Sequence, residues 1–158
     1  MRLWHYKILP YLPKSQLIAQ WRELNSIFKK QDNHILINYV YEYNGDDLYH
    51  YTLLVLGEMI NRKIEIRNLQ NMVNYFELRD EITYQLLPNT NQCIDLIKDK
   101  YKPFKNHHNN RYFLQCFYNL QEKYDRGQKD FDSETYKNLV IFVDNELNYN
   151  CDLLLNLT

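Results

Sequence analysis

A chain of 158 residues with 45% hydrophobic side chains is long enough for one self-sufficient core, and its three glycines argue against a repeat or collagen-like architecture. A net charge of −1 is weak for a protein whose ligand is a polyanion, but the charge is unevenly spread. Residues 1–129 hold eighteen Lys and Arg against fourteen Asp and Glu, a net of +4; residues 130–158 hold Lys137 against six acids, a net of −5.

Residues 1–13 read as an irregular arm, broken by Pro10 and Pro13. Pro13 suits the first turn of a helix, where its missing N–H is not needed. From there to about Lys30, the spacing of Leu17, Trp21, Leu24 and Phe28 predicts an amphipathic helix, with Arg22 and Glu23 off the apolar stripe. Residues 34–43 alternate through Ile35, Ile37, Tyr39 and Tyr41, a strand on pattern alone. Asn44-Gly45-Asp46-Asp47 predicts a turn and cap before a helix to about Arg62, with Leu48, Tyr51, Val55 and Met59 inward. Leu69, Met72, Val73 and Phe76 predict a third helix running to Pro88, followed by a short one over 91–100. A further helix is expected over about 109–125, with Gly127 just beyond its end. Ser133 is the expected cap of a last, docked helix containing Val140 to Val143. The expectation is an all-α, compact single-domain helical bundle, organised as a body over 1–129 and an acidic helical extension over 130–158.

Cys93, Cys116 and Cys151 are odd in number and far apart, so neither a disulfide framework nor a zinc spacing is indicated. His5, His34, His107 and His108 form no metal spacing either, and no cofactor is expected. There is no Gly-rich phosphate loop and no serine or cysteine triad pattern. No apolar run has the length of a membrane span and nothing resembles a secretory leader, so a cytoplasmic, monomeric protein is expected.

What remains is the start of the chain. An α-amino group has a pKa of about 7.7–8.0 against about 10.4 for lysine, so at neutral pH it is far richer in the nucleophilic form. Met1-Arg2-Leu3-Trp4-His5 stands one arm away from Arg22-Glu23. An Arg-Glu pair on a helix is ordinarily just a solvated surface pair; beside an amine it becomes a candidate catalytic carboxylate with a cationic neighbour. The densest basic and aromatic segment is Lys98 to Tyr112, in which Lys102, Lys105 and Arg111 are candidate phosphate contacts.

The opening Met1 to His5, Gln16-Leu17, Arg22-Glu23, His34 and Asn38-Tyr39-Val40 resemble the pyrimidine-dimer DNA glycosylases of the phage endonuclease V type. The resemblance is good over residues 1–63, weaker around 104–124, and not visible after about 128. It implies a DNA repair glycosylase and abasic-site lyase acting on double-stranded DNA. The fold it implies makes residues 34–43 an extended connection. The N-terminal amine would attack sugar C1′ to form an imine, with a helical glutamate assisting. Carried over, the nucleophile is the amine of Met1, retained because Arg2 is too large for the usual methionine removal. Glu23 is the carboxylate, Arg22 its partner or a phosphate ligand, and Arg2 and His34 contact DNA. The alternative is a non-catalytic module on the same scaffold, binding nucleic acid or, through the acidic C-terminal helix, a protein.

Overall fold

The computed structural model describes residues 2–31, 33–78 and 102–149. Among them there are helices and no strands, as expected: α1 (Lys14–Lys29), α2 (Gly45–Asn61), α3 (Leu69–Tyr75), α4 (Asn110–Asp125) and α5 (Ser133–Tyr149), with short 3-10 helices at Tyr6–Tyr11 and Asn38–Glu42. The helix expected over 91–100 and the run towards Pro88 lie outside the described residues. So do Met1 and the last nine residues.

α2 is the central element. Every residue from Tyr51 to Gly57 is buried, so it meets neighbours all round instead of along one stripe. α1 packs against both α2 and α3 and buries Leu17, Trp21, Leu24 and Phe28, the four positions the periodicity indicates. At the end of α2, Ile64 N–H donates to Met59 C=O at 2.9 Å while Lys63 takes φ +54. This is the left-handed termination that glycine usually supplies, here made by a lysine.

Two expectations are corrected. Residues 34–43 are not extended: His34 C=O accepts from both Ile37 and Asn38 N–H at 2.9 Å, and a 3-10 helix follows. No described strand is available to pair with the segment, so the chain satisfies its own backbone locally. Ile37, Tyr39 and Val40 are still buried, while Ile35 stands 80% exposed. The cap of α5 is also not Ser133. Asp132 Oδ1 accepts from Thr135 N–H at 2.7 Å, one residue earlier.

α4 begins as expected. The Asn109 side chain accepts from Tyr112 N–H at 3.0 Å, and Gly127 at φ +74 closes the other end. Replacing Asn109 with Ala leaves that first-turn donor unmet and is expected to destabilise the fold by about 1 kcal/mol. A urea titration of the variant checks it: an unchanged midpoint would show that the cap contributes nothing. α5 docks on the arm through the Tyr11–Phe142 stack (4.2 Å between centroids) and the Lys7–Glu146 ion pair (2.6 Å).

Between α2, α4 and the arm sits a polar, ring-rich core. His5 Nδ1 accepts from Lys7 N–H (3.3 Å), so its Nε2 carries the proton and donates to His108 C=O (2.9 Å). His108 repeats the logic: Nδ1 accepts from Tyr6 N–H (3.3 Å) and Nε2 faces Tyr39 Oη (2.7 Å). Among the described residues, no buried side-chain nitrogen or oxygen lacks a hydrogen-bond partner.

Candidate active site

Leu3, Trp4 and Leu12 bury in the core, and that burial draws the start of the chain back across α1. The Arg2 amide thereby donates to Glu23 Oε2 at 2.9 Å, across 21 residues of sequence. One turn earlier on α1, Gln20 lies almost fully buried and laces the arm with both ends of its carboxamide. Its Oε1 accepts from Trp4 N–H (2.7 Å) and Tyr51 O–H (3.0 Å). Its Nε2 donates to Arg2 C=O (3.2 Å) and Glu23 Oε2 (3.4 Å). Tyr51 shares its one hydroxyl proton between Gln20 Oε1 and the closer Trp4 C=O (2.7 Å), and Tyr112 donates to Leu3 C=O at 2.6 Å. Arg2 and Trp4 are therefore held at both their N–H and C=O groups, and Leu3 at its C=O, by side chains from three helices.

Glu23 is half-buried. Loss of water pushes its carboxyl above the usual range; the Arg2 amide, the positive charge of the chain's first nitrogen, Gln20 and His34 oppose this. The result is a carboxyl whose acid and base forms both lie closer to neutrality than those of an exposed glutamate.

The other expected residues fall in different places. His34 is exposed, accepts from Leu36 N–H at 3.2 Å, and acts electrostatically on Glu23, so the fold brings it to the same corner. The Arg2 guanidinium turns inward over the Trp4 and Tyr112 rings, at 5.9 and 6.0 Å from their centroids. It also helps to lower Cys116, a buried thiol that desolvation pushes up. Arg22, adjacent to Glu23 in sequence, is about 100° round the helix from it. It is exposed and lines a groove of about 840 Å³ between α1 and residues 63–68. Lys102, Lys105 and Arg111 are exposed, on the turn before α4 and on its first turn.

That groove holds residues the sequence reading passed over. Its floor is apolar, with Ile18, Trp21, Met59 and Ile64, and its rim carries Lys14, Arg22, Lys29, Lys63 and Arg67 against one acid, Glu65. Trp21 Nε1–H donates to Arg67 C=O at 2.7 Å and so ties the rim to α1. The signal was present in the spacing: Lys14, Arg22 and Lys29 recur near multiples of a helical turn. Gln20 too is visible in retrospect, as a polar residue inside the stripe of Leu17, Trp21 and Leu24.

The helical fold thus clasps its own N-terminal segment onto a half-buried carboxylate, with a cation-rimmed groove on another face of the same helix. Residues 1–72 match the family model for pyrimidine dimer DNA glycosylase, a family of DNA repair glycosylases and the one the opening residues resemble. The match takes in the arm, α1 and α2 and ends within α3. No curated protein and no solved structure matches the chain significantly. Among the described residues, no helix is long and apolar enough to cross a membrane.

Proposed function

We propose that the protein is a DNA N-glycosylase and abasic-site lyase whose nucleophile is the amine of Met1, with Glu23 as its acid–base partner. The observation that carries this reading is the 2.9 Å bond from the Arg2 amide to Glu23. Successive backbone nitrogens are less than about 4 Å apart, so a donor at residue 2 keeps the preceding nitrogen within reach of that carboxylate. Met1 itself lies outside the described residues.

In this scheme the amine lone pair forms a bond to C1′, and the glycosidic bond breaks with its electron pair on the departing base, which takes a proton. The nitrogen lone pair then forms C1′=N as the C1′–O4′ bond breaks with its electrons on O4′, which takes a proton, and a cationic imine is left. Glu23 carboxylate then removes a C2′ proton, the electrons form C2′=C3′, and the 3′ phosphate departs. A carboxylate held at a partly desolvated site stabilises the cationic imine more strongly than water would. C1′ is not accessible inside an intact stack, so the target nucleotide or its partner must be extruded, which is easier at a damaged pair.

Borohydride reduction during reaction with an abasic-site duplex tests the scheme. A covalent protein–DNA adduct is expected, lost when the N-terminus is acetylated, and likewise with UV-irradiated duplex carrying pyrimidine dimers. Binding without cleavage or trapping at any salt concentration would instead identify the non-catalytic module.

The exposed cations of the α1 groove, Arg22 included, are proposed phosphate contacts, together with Lys102, Lys105 and Arg111. Lys29→Ala and Lys63→Ala are each expected to weaken binding to damaged and undamaged duplex alike, and to reduce the slope of log K against log salt by about one. A loss confined to damaged DNA would argue against backbone contact.

A further inference from the structure

We infer that Gln20 is a positioning residue for the reaction, a carboxamide clamp that fixes the N-terminal segment and the Glu23 carboxyl to each other. The inference rests on the proposed use of the terminal amine, and goes beyond it by naming the side chain that aligns amine and acid.

Gln20 is 1% exposed and makes four contacts that divide by chemistry. The oxygen takes two donors, Trp4 N–H and Tyr51 O–H; the amino group supplies two acceptors, Arg2 C=O and Glu23 Oε2. Only a carboxamide has this capacity in one planar group. Leucine has the volume but none of the bonds. Glutamate has the shape, yet when ionised it only accepts, and would set a second negative charge beside Glu23. Protonated glutamic acid restores one donor. Gln20 does not line the α1 groove, so DNA affinity does not depend on it.

The charged and titratable groups bearing on Glu23 from the surrounding elements include the terminal ammonium, His34 on the following connection, and the Tyr51 and Tyr112 hydroxyls of α2 and α4, while Arg2 reaches it through its backbone amide. None of these is replaced in the test.

The experiment compares wild type, Gln20→Glu and Gln20→Leu between pH 5.5 and 8, by single-turnover borohydride trapping on abasic duplex and by carbon NMR titration of the Glu23 carboxyl. Gln20→Leu is expected to lose about tenfold or more in the chemical rate with KM for DNA held within about twofold, because alignment and not binding is removed. Gln20→Glu should trap at close to the wild-type rate at pH 5.5 and fall about tenfold below it by pH 8, as its own acid ionises. In both variants the Glu23 titration should move, and the Arg2 and Trp4 amides should exchange faster. Circular dichroism at each pH separates this from unfolding. If wild type traps and both variants keep its rate and its Glu23 titration, the clamp is overturned. If wild type does not trap, the enzyme reading fails on its own, and the NMR and exchange measurements still decide whether Gln20 aligns the two groups.

Discussion

Glu23→Gln is expected to lower strand cleavage at an abasic site by about 10²–10⁴-fold, the usual contribution of a positioned acid–base group, while the protein stays folded. The two halves of this result have separate causes. Glutamine keeps an oxygen where Glu23 Oε2 accepts from the Arg2 amide, so the arm remains attached. Because burial is the largest influence on Glu23 and raises its pKa, the fold disfavours the charged carboxylate relative to the unfolded chain. A neutral side chain there therefore sacrifices little stability at pH 7.

The chemistry suffers because an amide cannot take the C2′ proton or balance the charge of the imine. The pH dependence follows with the same sign. As a base Glu23 must be ionised, so elimination slows as pH falls through a pKa that lies above the ordinary glutamate value. Trapping of the imine should be less affected than cleavage, since the amine performs the attack. Rate measurements on cleavage and trapping in parallel check this. Cleavage within about tenfold of wild type would remove Glu23 from the proton-transfer step.

Much of the frame that supports this site is legible in the chain because it is periodic. Leu17, Trp21, Leu24 and Phe28 specify α1, and Asn109 and Gly127 bracket α4, through local rules that need no tertiary knowledge. The 34–43 segment escapes those rules: alternation there reflects burial of Ile37 and Tyr39 on one side of a tight turn, and period two alone does not separate that from a strand. The site divides the same way. Glu23 is found through a resemblance carried by the chain's start, and its contact with residue 2 is a fact of folding that sequence distance hides. Arg22 looks like Glu23's companion on paper, but neighbouring helical positions look onto different faces, so it serves the groove instead. Gln20 stands out in the sequence only as a polar residue within an apolar stripe; its role lies in four partners on three separate segments.

The second large effect is on stability, between pH 6.5 and 4. His5 is buried and held neutral: loss of water is the main influence, and its pKa falls from 6.5 to about 4. His108 is likewise held well below the ordinary histidine value, for the same first reason and because His5 and His107 would repel its charge. The geometry explains why a proton is unwelcome. Both Nδ1 atoms already accept from backbone amides, Lys7 N–H for His5 and Tyr6 N–H for His108, so protonation sets donor against donor in a dry site.

Above pH 6.5 both folded and unfolded chains carry these rings neutral, and there is no effect. As pH falls below 6.5 the unfolded chain takes up protons that the folded chain refuses, so stability is lost until the folded pKa near 4 is passed. For His5 alone this difference amounts to about 3 kcal/mol. Glu23 works in the opposite direction, since a raised carboxyl pKa favours the folded state in acid, but it is half-buried and its shift is smaller. Urea unfolding at pH 7, 5.5 and 4.5 should show the midpoint falling, and His5→Gln should begin less stable and lose less. A flat profile from pH 7 to 5 would mean the two rings are protonated within the fold. His5 follows directly on Trp4, whose amide Gln20 holds, so acid should loosen the arm as it loosens the core. Imine trapping should then fail in the same window even where the terminal amine is otherwise competent.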